Sequence, residues 1–166
     1  YVFTINGFPY GNFHATRVKE AVYRPDWLES LRASYSETLA RLLAALLPDG
    51  VDGSVSTVPI AYAPRMNGAP DDELAADALV AHAAFLRTLH DTTGRTIGLA
   101  LEPEPACRLE TGNDAVDFFE RMVFCRERVA RYAALTGLAG AAAEESLRRH
   151  LGVCLDTCHA AVEFED

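Results

Sequence analysis

Gly152-Val-Cys-Leu-Asp-Thr-Cys-His159 is the run from which the rest of this chain can be read. Leu151–Leu155 is a short apolar stretch of the kind that forms a buried strand. It hands over to Asp156 and His159, a carboxylate and an imidazole three residues apart, where strand gives way to loop. The strand fixes the first side chain and the turn brings the second back over it, so both can converge on one divalent cation. Imidazole suits Zn, Fe, Ni or Mn, and the carboxylate broadens the choice. The plainer reading makes Asp156 the cap of a following helix and His159 a residue of its first turn.

One strand earlier the arrangement recurs. Ile97–Leu101 reads as a strand and closes on Glu102-Pro-Glu-Pro105, so Glu102 is the counterpart of Asp156. Neighbouring parallel strands lie about 4.8 Å apart, which puts two carboxylates at their C-terminal ends within reach of one ion. Without a cation, like charges that close repel and push one pKa upward. Glu102, Asp156 and His159 together are therefore read as a metal or strongly coupled acid/base site.

Nearer the N-terminus, Tyr1–Ile5 is a β-branched and aromatic run ended by the turn signal Asn6-Gly7, and Gly53–Ile60 is a second such run. Between the strands the apolar spacing turns helical. Leu28, Leu31, Tyr35, Leu39, Leu42 and Leu46 predict one buried stripe over Leu28–Leu47. Asp71 and Asp72 open a second helix, with Leu74, Ala78, Ala81, Phe85 and Leu89 expected inside and Gly94 as its stop. Asn113 or Asp114 is expected to cap a third, carrying Phe118, Met122, Cys125, Val129 and Tyr132 on one side, and Ala141–His150 is a short fourth.

Strand–helix alternation implies an α/β fold with parallel strands and helical crossovers. Strands begin near residues 1, 53, 97 and 152, and the extra length lies in the loops after them. In β/α barrels that is the face on which sites are built. Four units do not close an eight-stranded barrel, which takes about 250 residues. The expectation is a single domain over 1–166 that is an internal section of a larger barrel, truncated at both ends, with an open four-stranded sheet as the alternative.

Composition bounds the function. Of 166 residues 49% are hydrophobic and 23% charged, enough for a core, and no apolar run approaches a membrane span. A net charge of −9 repels phosphates and argues against a nucleic-acid partner. Cys107, Cys125, Cys154 and Cys158 form no regular framework, and no secretory leader pattern is visible. They are read as reduced thiols in a cytoplasmic protein.

Ala100-Leu-Glu102 and Gly152–His159 resemble the fifth- and sixth-strand motifs of the xylose-isomerase-like TIM barrels. That superfamily holds sugar isomerases, sugar-phosphate epimerases and type IV AP endonucleases. The Asp-Thr-Cys-His run is similar to the endonuclease version, where the Asp and His bind zinc. Glu102-Pro-Glu-Pro105 is similar to the Glu-Pro-Lys-Pro run of xylose isomerases, where the Glu binds metal. Over its length the chain resembles the EboE-type metabolite traffic proteins, a bacterial branch of the superfamily. Phe3–Gly11, Phe13-His14, Arg17–Glu20, Val22-Tyr23 with Pro25-Asp-Trp27, Gly53–Pro59 and Ala160–Glu165 carry that likeness. The resemblance implies strands three to six of a (β/α)8 barrel and a divalent ion (Zn, Mn or Fe) on Glu102, Asp156 and His159. Two departures stand out. Glu104 replaces the catalytic Lys of xylose isomerases, and the only His between residues 1 and 81 is His14, too few for a three-zinc endonuclease.

Two functions emerge as expectations. One is a metal-dependent isomerase or epimerase acting on a small polar metabolite of a secondary-metabolite pathway, with Glu104 and His14 as candidates for moving the proton. The other is a non-catalytic ligand-binding component of metabolite transport, working with partners from the same export pathway. Asn6, Tyr10, Arg17, Lys19 and Thr57 are the substrate-binding candidates, with Ser56 and Thr57 ending the second strand towards the site. Each also has a plain reading: Asn6 as a turn residue, Arg17 and Lys19 as a solvated loop face, and Thr57 as a β-former. His82, His90 and His150 fall in helices and are read as surface or packing residues.

Overall fold

The computed structural model describes residues 1–11 and 21–165; His14, Arg17 and Lys19 lie outside them. Four strands, β1 (Thr4–Asn6), β2 (Gly53–Thr57), β3 (Ile97–Leu101) and β4 (Leu151–Val153), pair side by side in chain order, all parallel. The pairing register gives each face its character. Val55, Leu99 and Leu151 share one row and, with Ile97 and Leu101, are buried on the side where the helices pack. Thr4, Ser54 and Gly98 form a row on the opposite face, and Asn6, Ser56, Ala100 and Gly152 form the next. That second face is small and polar, and most of it stays partly exposed.

Among the described residues six α-helices accompany the strands: α1 (Ser30–Leu46), α2 (Ala69–Thr93), α3 (Gly112–Phe118), α4 (Arg126–Thr136), α5 (Ala141–His150) and α6 (Thr157–Val162). Helices α1, α2 and α5 pack on the apolar side of the sheet, and α4 packs on α2 and α5. In-order parallel winding with helices on one side is compatible with a section of an α/β barrel. A doubly wound sheet instead reverses its strand order and covers both faces. No helix among the described residues is long and apolar enough to cross a membrane.

Local expectations hold where a residue has a single use. Asp71 and Asp72 sit in the first turn of α2, and Gly94 ends it in the left-handed region at φ 69°. Other expectations need correction. The first strand starts at Thr4, because the backbone of Ser54 bonds Phe3 and β2 begins only at Gly53, which leaves Tyr1 and Val2 unpaired and exposed. Helix α1 is turned relative to the expected stripe: Arg32, Ser36, Ala40, Leu43 and Ala44 are buried, while Leu31, Leu42 and Leu46 face out. Helix α2 buries Ala75, Ala76, Leu79, Val80 and Ala83, and of its expected stripe only Leu89 is fully inside. The third helix is two. Thr111 caps α3 in a reciprocal capping box with Asp114, and a π-helical turn over Phe119–Val123 then breaks the chain before α4.

Gly7 shows how tightly β1 is held. Its amide donates to the Ser56 carbonyl at 2.9 Å, and a Cβ built on it would stand 2.7 Å from that oxygen and 2.9 Å from Leu39 Cδ1. The nearest obstacle is backbone, so it cannot swing away. Gly7→Ala is expected to destabilise by about 2 kcal/mol, the usual cost of overpacking, measured as a fall in the urea midpoint at unchanged slope.

Candidate functional site

The ends of β3 and β4 build the site. The Glu102 amide donates to the Thr57 carbonyl at 3.1 Å, and the Cys154 amide to the Leu101 carbonyl at 2.8 Å. Parallel pairing therefore runs on past both strands and holds Glu102 and the Cys154–Asp156 segment at one end of the sheet. There, ligand atoms of Glu102, Asp156 and His159 all lie within 4.8 Å of one another, and the three side chains are half-buried. The sequence-predicted trio is brought together as a cluster.

Asp156 takes the capping role offered for it and keeps one oxygen on the cluster. Its Oδ1 caps α6, accepting from the amides of Cys158 at 2.7 Å and His159 at 3.3 Å. Those bonds, the one from Cys158 foremost, hold its carboxyl below the usual range. Its Oδ2 lies 3.9 Å from His159 Nε2. On the other side of the ring, His159 Nδ1 is 3.1 Å from the Pro103 carbonyl. A carbonyl only accepts, so Nδ1 carries a hydrogen and Nε2 is the ring atom turned towards the carboxylates. That tautomer is the one a metal-ligating histidine needs. Burial pushes the Glu102 carboxyl up; His159 opposes the push, and the Asp156 charge adds to it. Two carboxylates and an imidazole nitrogen within 4.8 Å of one another make a donor set that suits a divalent cation.

Glu104 stands beside this cluster and outside it. The Tyr23 hydroxyl donates to its Oε1 at 3.2 Å, while Oε2 is buried with no partner among the described residues. Burial pushes its carboxyl up, with the Tyr23 bond working against that. Tyr23 itself stacks on Tyr62 at 5.6 Å, and the buried Cys107 thiol next to them is pushed up to about 12.

The remaining sequence candidates divide. Asn6 accepts from the Phe8 amide at 3.0 Å and from the Ser56 hydroxyl at 3.3 Å, so its side chain shapes the turn and braces the neighbouring strand. Tyr10 packs edge-on against Tyr35 at 5.0 Å. Thr57 is fully buried, and its hydroxyl accepts from the Trp27 indole at 3.2 Å. Strand alternation lets only one of Ser56 and Thr57 face the site. Ser56 shares that face with Asn6 and Ala100, and Thr57 belongs to the core side with Leu101. Of the two residues expected to face the site, Ser56 does and Thr57 does not, a choice that period-two alternation could have made. Tyr23 is a site residue that nothing local in the sequence marks. No family model, curated protein or solved structure matches this chain, so the reading of the site rests on its own geometry.

Proposed function

We propose that Glu102, Asp156 and His159 hold a divalent ion at the C-terminal end of a (β/α)8 barrel of xylose-isomerase-like type. In this reading the protein is an isomerase or epimerase acting on a small polar metabolite. The observation that carries it is the convergence of three ligand atoms within 4.8 Å, with the His159 ring oriented by the Pro103 carbonyl. The sheet supports the barrel part, because its four strands lie in chain order with the helices on one side. Bound there, a divalent ion of the Zn, Mn or Fe kind polarises a carbonyl or hydroxyl oxygen.

The chain's own groups do the rest. Asp156 is immobilised through its cap, so Oδ2 keeps its position whether or not a ligand is present. Glu104, its carboxyl raised by burial and its Oε1 held by Tyr23, is the group of this chain placed to move a proton at a bound substrate. It stands where the related enzymes are expected to use Lys, and a carboxylic acid in that place gives a proton as a neutral group. Ser56 and Asn6 line the small polar face that approaches Glu102 and offer hydrogen bonds to a hydroxylated ligand.

Elemental analysis of protein purified without chelator tests this. About one divalent ion per chain is expected, and Asp156→Ala/His159→Ala should weaken its binding at least about a hundredfold, more than loss of an outer-shell partner usually costs. No ion in the wild type after dialysis against Zn, Mn and Fe sinks the metalloenzyme reading.

A further inference from the structure

A cavity of about 210 Å³ opens between α2 and α5, at the end of the sheet opposite to Glu102 and Asp156. His150 on its wall immediately precedes β4, whereas Asp156 comes after that strand. Arg87 and His90 of α2 face Arg149, His150, Glu145 and Ser146 of α5 across it. Two guanidinium groups and two imidazoles in one small cavity are unusual in a chain of net charge −9.

Each group has a defined commitment. Arg87 is paired with Asp91 at 2.7 Å, and Arg149 has no ion-pair partner among the described residues. His150 is buried, with Nδ1 2.9 Å from the Ile97 carbonyl, so that nitrogen carries a hydrogen and Nε2 is the atom left to gain one. His90 Nδ1 lies 3.3 Å from the Thr96 hydroxyl, and the two rings are 6.5 Å apart.

We propose that this cavity is a proton-linked binding site for a small oxyanion of the phosphate or sulfate type, separate from the metal site proposed above. The arginines would repel a cation, and among the described residues the ligand atoms that gather within 4.8 Å of one another are those of Glu102, Asp156 and His159, away from this cavity. With both imidazoles neutral, Arg87 and Arg149 are offset by Asp91 and Glu145. A proton taken up by His150 then leaves a positive charge for an anion to meet. The other titratable groups facing them are His82 on α2 and Tyr132 on α4, neither of them charged at neutral pH; β3 and β4 contribute backbone alone. Burial, and then repulsion from His90, Arg87 and Arg149, holds the His150 imidazole below the ordinary histidine range, while its bond to Ile97 works the other way. An anion among these cations relieves the repulsion, so its binding draws a proton in. The volume admits a phosphate-sized group with a few further atoms and falls short of the roughly 300–1,000 Å³ of common ligand pockets.

Inorganic sulfate is the probe, because its charge stays fixed while His150 titrates. Calorimetric titration at constant ionic strength is expected to show saturable binding near about pH 6 that weakens about tenfold by about pH 8. The heat should vary with buffer ionisation enthalpy as a proton is taken up. Arg149→Ala, at an exposed position, should weaken binding about fivefold, and His150→Gln should flatten the pH dependence. Absence of saturable binding up to about 50 mM sulfate, equal affinity at both pH values, or unchanged binding in a folded Arg149→Ala protein each overturns the proposal.

Discussion

Acidification from neutral pH to about pH 4 is expected to remove several kcal/mol of stability, with His82 as the main single source. This side chain of α2 is 2% exposed, and neither ring nitrogen has a hydrogen-bond partner among the described residues. It packs edge-on to Trp27 at 5.6 Å and against Phe85 at 5.7 Å. Burial, with a smaller push from His150, lowers its pKa from 6.5 to about 3. The folded pKa is depressed, so between those values the unfolded chain binds the proton that the native chain refuses. The contribution is whole above pH 6.5 and is lost as pH falls towards 3. At 1.36 kcal/mol per unit the full span is worth about 5 kcal/mol, against a total of roughly 5–15 kcal/mol for a typical domain. His150 acts in the same direction. Glu102 and Glu104, with raised carboxyls, act in the opposite one and soften the fall. Urea unfolding at a series of pH values, followed by the fluorescence of Trp27, the only tryptophan, measures it. His82→Leu should flatten the pH dependence and raise stability at neutral pH by about 1–3 kcal/mol, because two unpartnered polar atoms disappear. An unchanged slope in that variant would refute the assignment.

His82 also marks where the sequence stops being legible. Its place in a helix is readable; its position against Trp27 and Phe85 depends on how α2 is rotated about its axis. Helices α1 and α2 carry Ala and Leu on nearly every side, so apolar spacing establishes a helix and leaves its phase open. What sets the phase of α1 is a polar anchor, Arg32, at a position where hydrophobic periodicity expects nothing. The strands are clearer. Ile97–Leu101 has the boundaries the sequence predicts, and the carboxylates just past β3 and β4 converge because parallel pairing brings strand ends together. Tyr23 is invisible for a simple reason: it reaches Glu104 across a separation of 81 residues, and only the assembled fold brings the two together. The π-helical turn that divides α3 from α4 has no composition signal either, since Phe118, Met122 and Val129 keep a helical spacing straight through the break.

Arg32 carries the other large effect. The residue is fully buried, and its guanidinium donates from Nε to the Pro25 carbonyl at 2.6 Å, from Nη1 to Gly7 at 2.7 Å and from Nη2 to Phe8 at 3.3 Å. Its face lies 5.6 Å from the Tyr35 ring. Burial lowers its pKa to about 10, which still leaves it protonated at neutral pH. One fork thus ties the segment after β1, where Asn6 braces Ser56, to the segment that carries Tyr23 and Trp27. Arg32→Ala leaves three carbonyls without their charged donor, and losses of about 1–3 kcal/mol for each buried acceptor place the total on the order of 4–5 kcal/mol. Arg32→Lys is expected to recover little, because an ammonium is a point donor on a flexible stem and cannot meet three carbonyls spread across a planar fork. Chemical denaturation of both variants, read through Trp27, separates the possibilities. A Lys variant within about 1 kcal/mol of wild type would mean that buried positive charge matters here and the fork does not. A large loss in both makes the geometry of the guanidinium the element that fixes the rotation of α1 and, through the two segments it joins, the setting of Ser56 and Tyr23 beside the carboxylates.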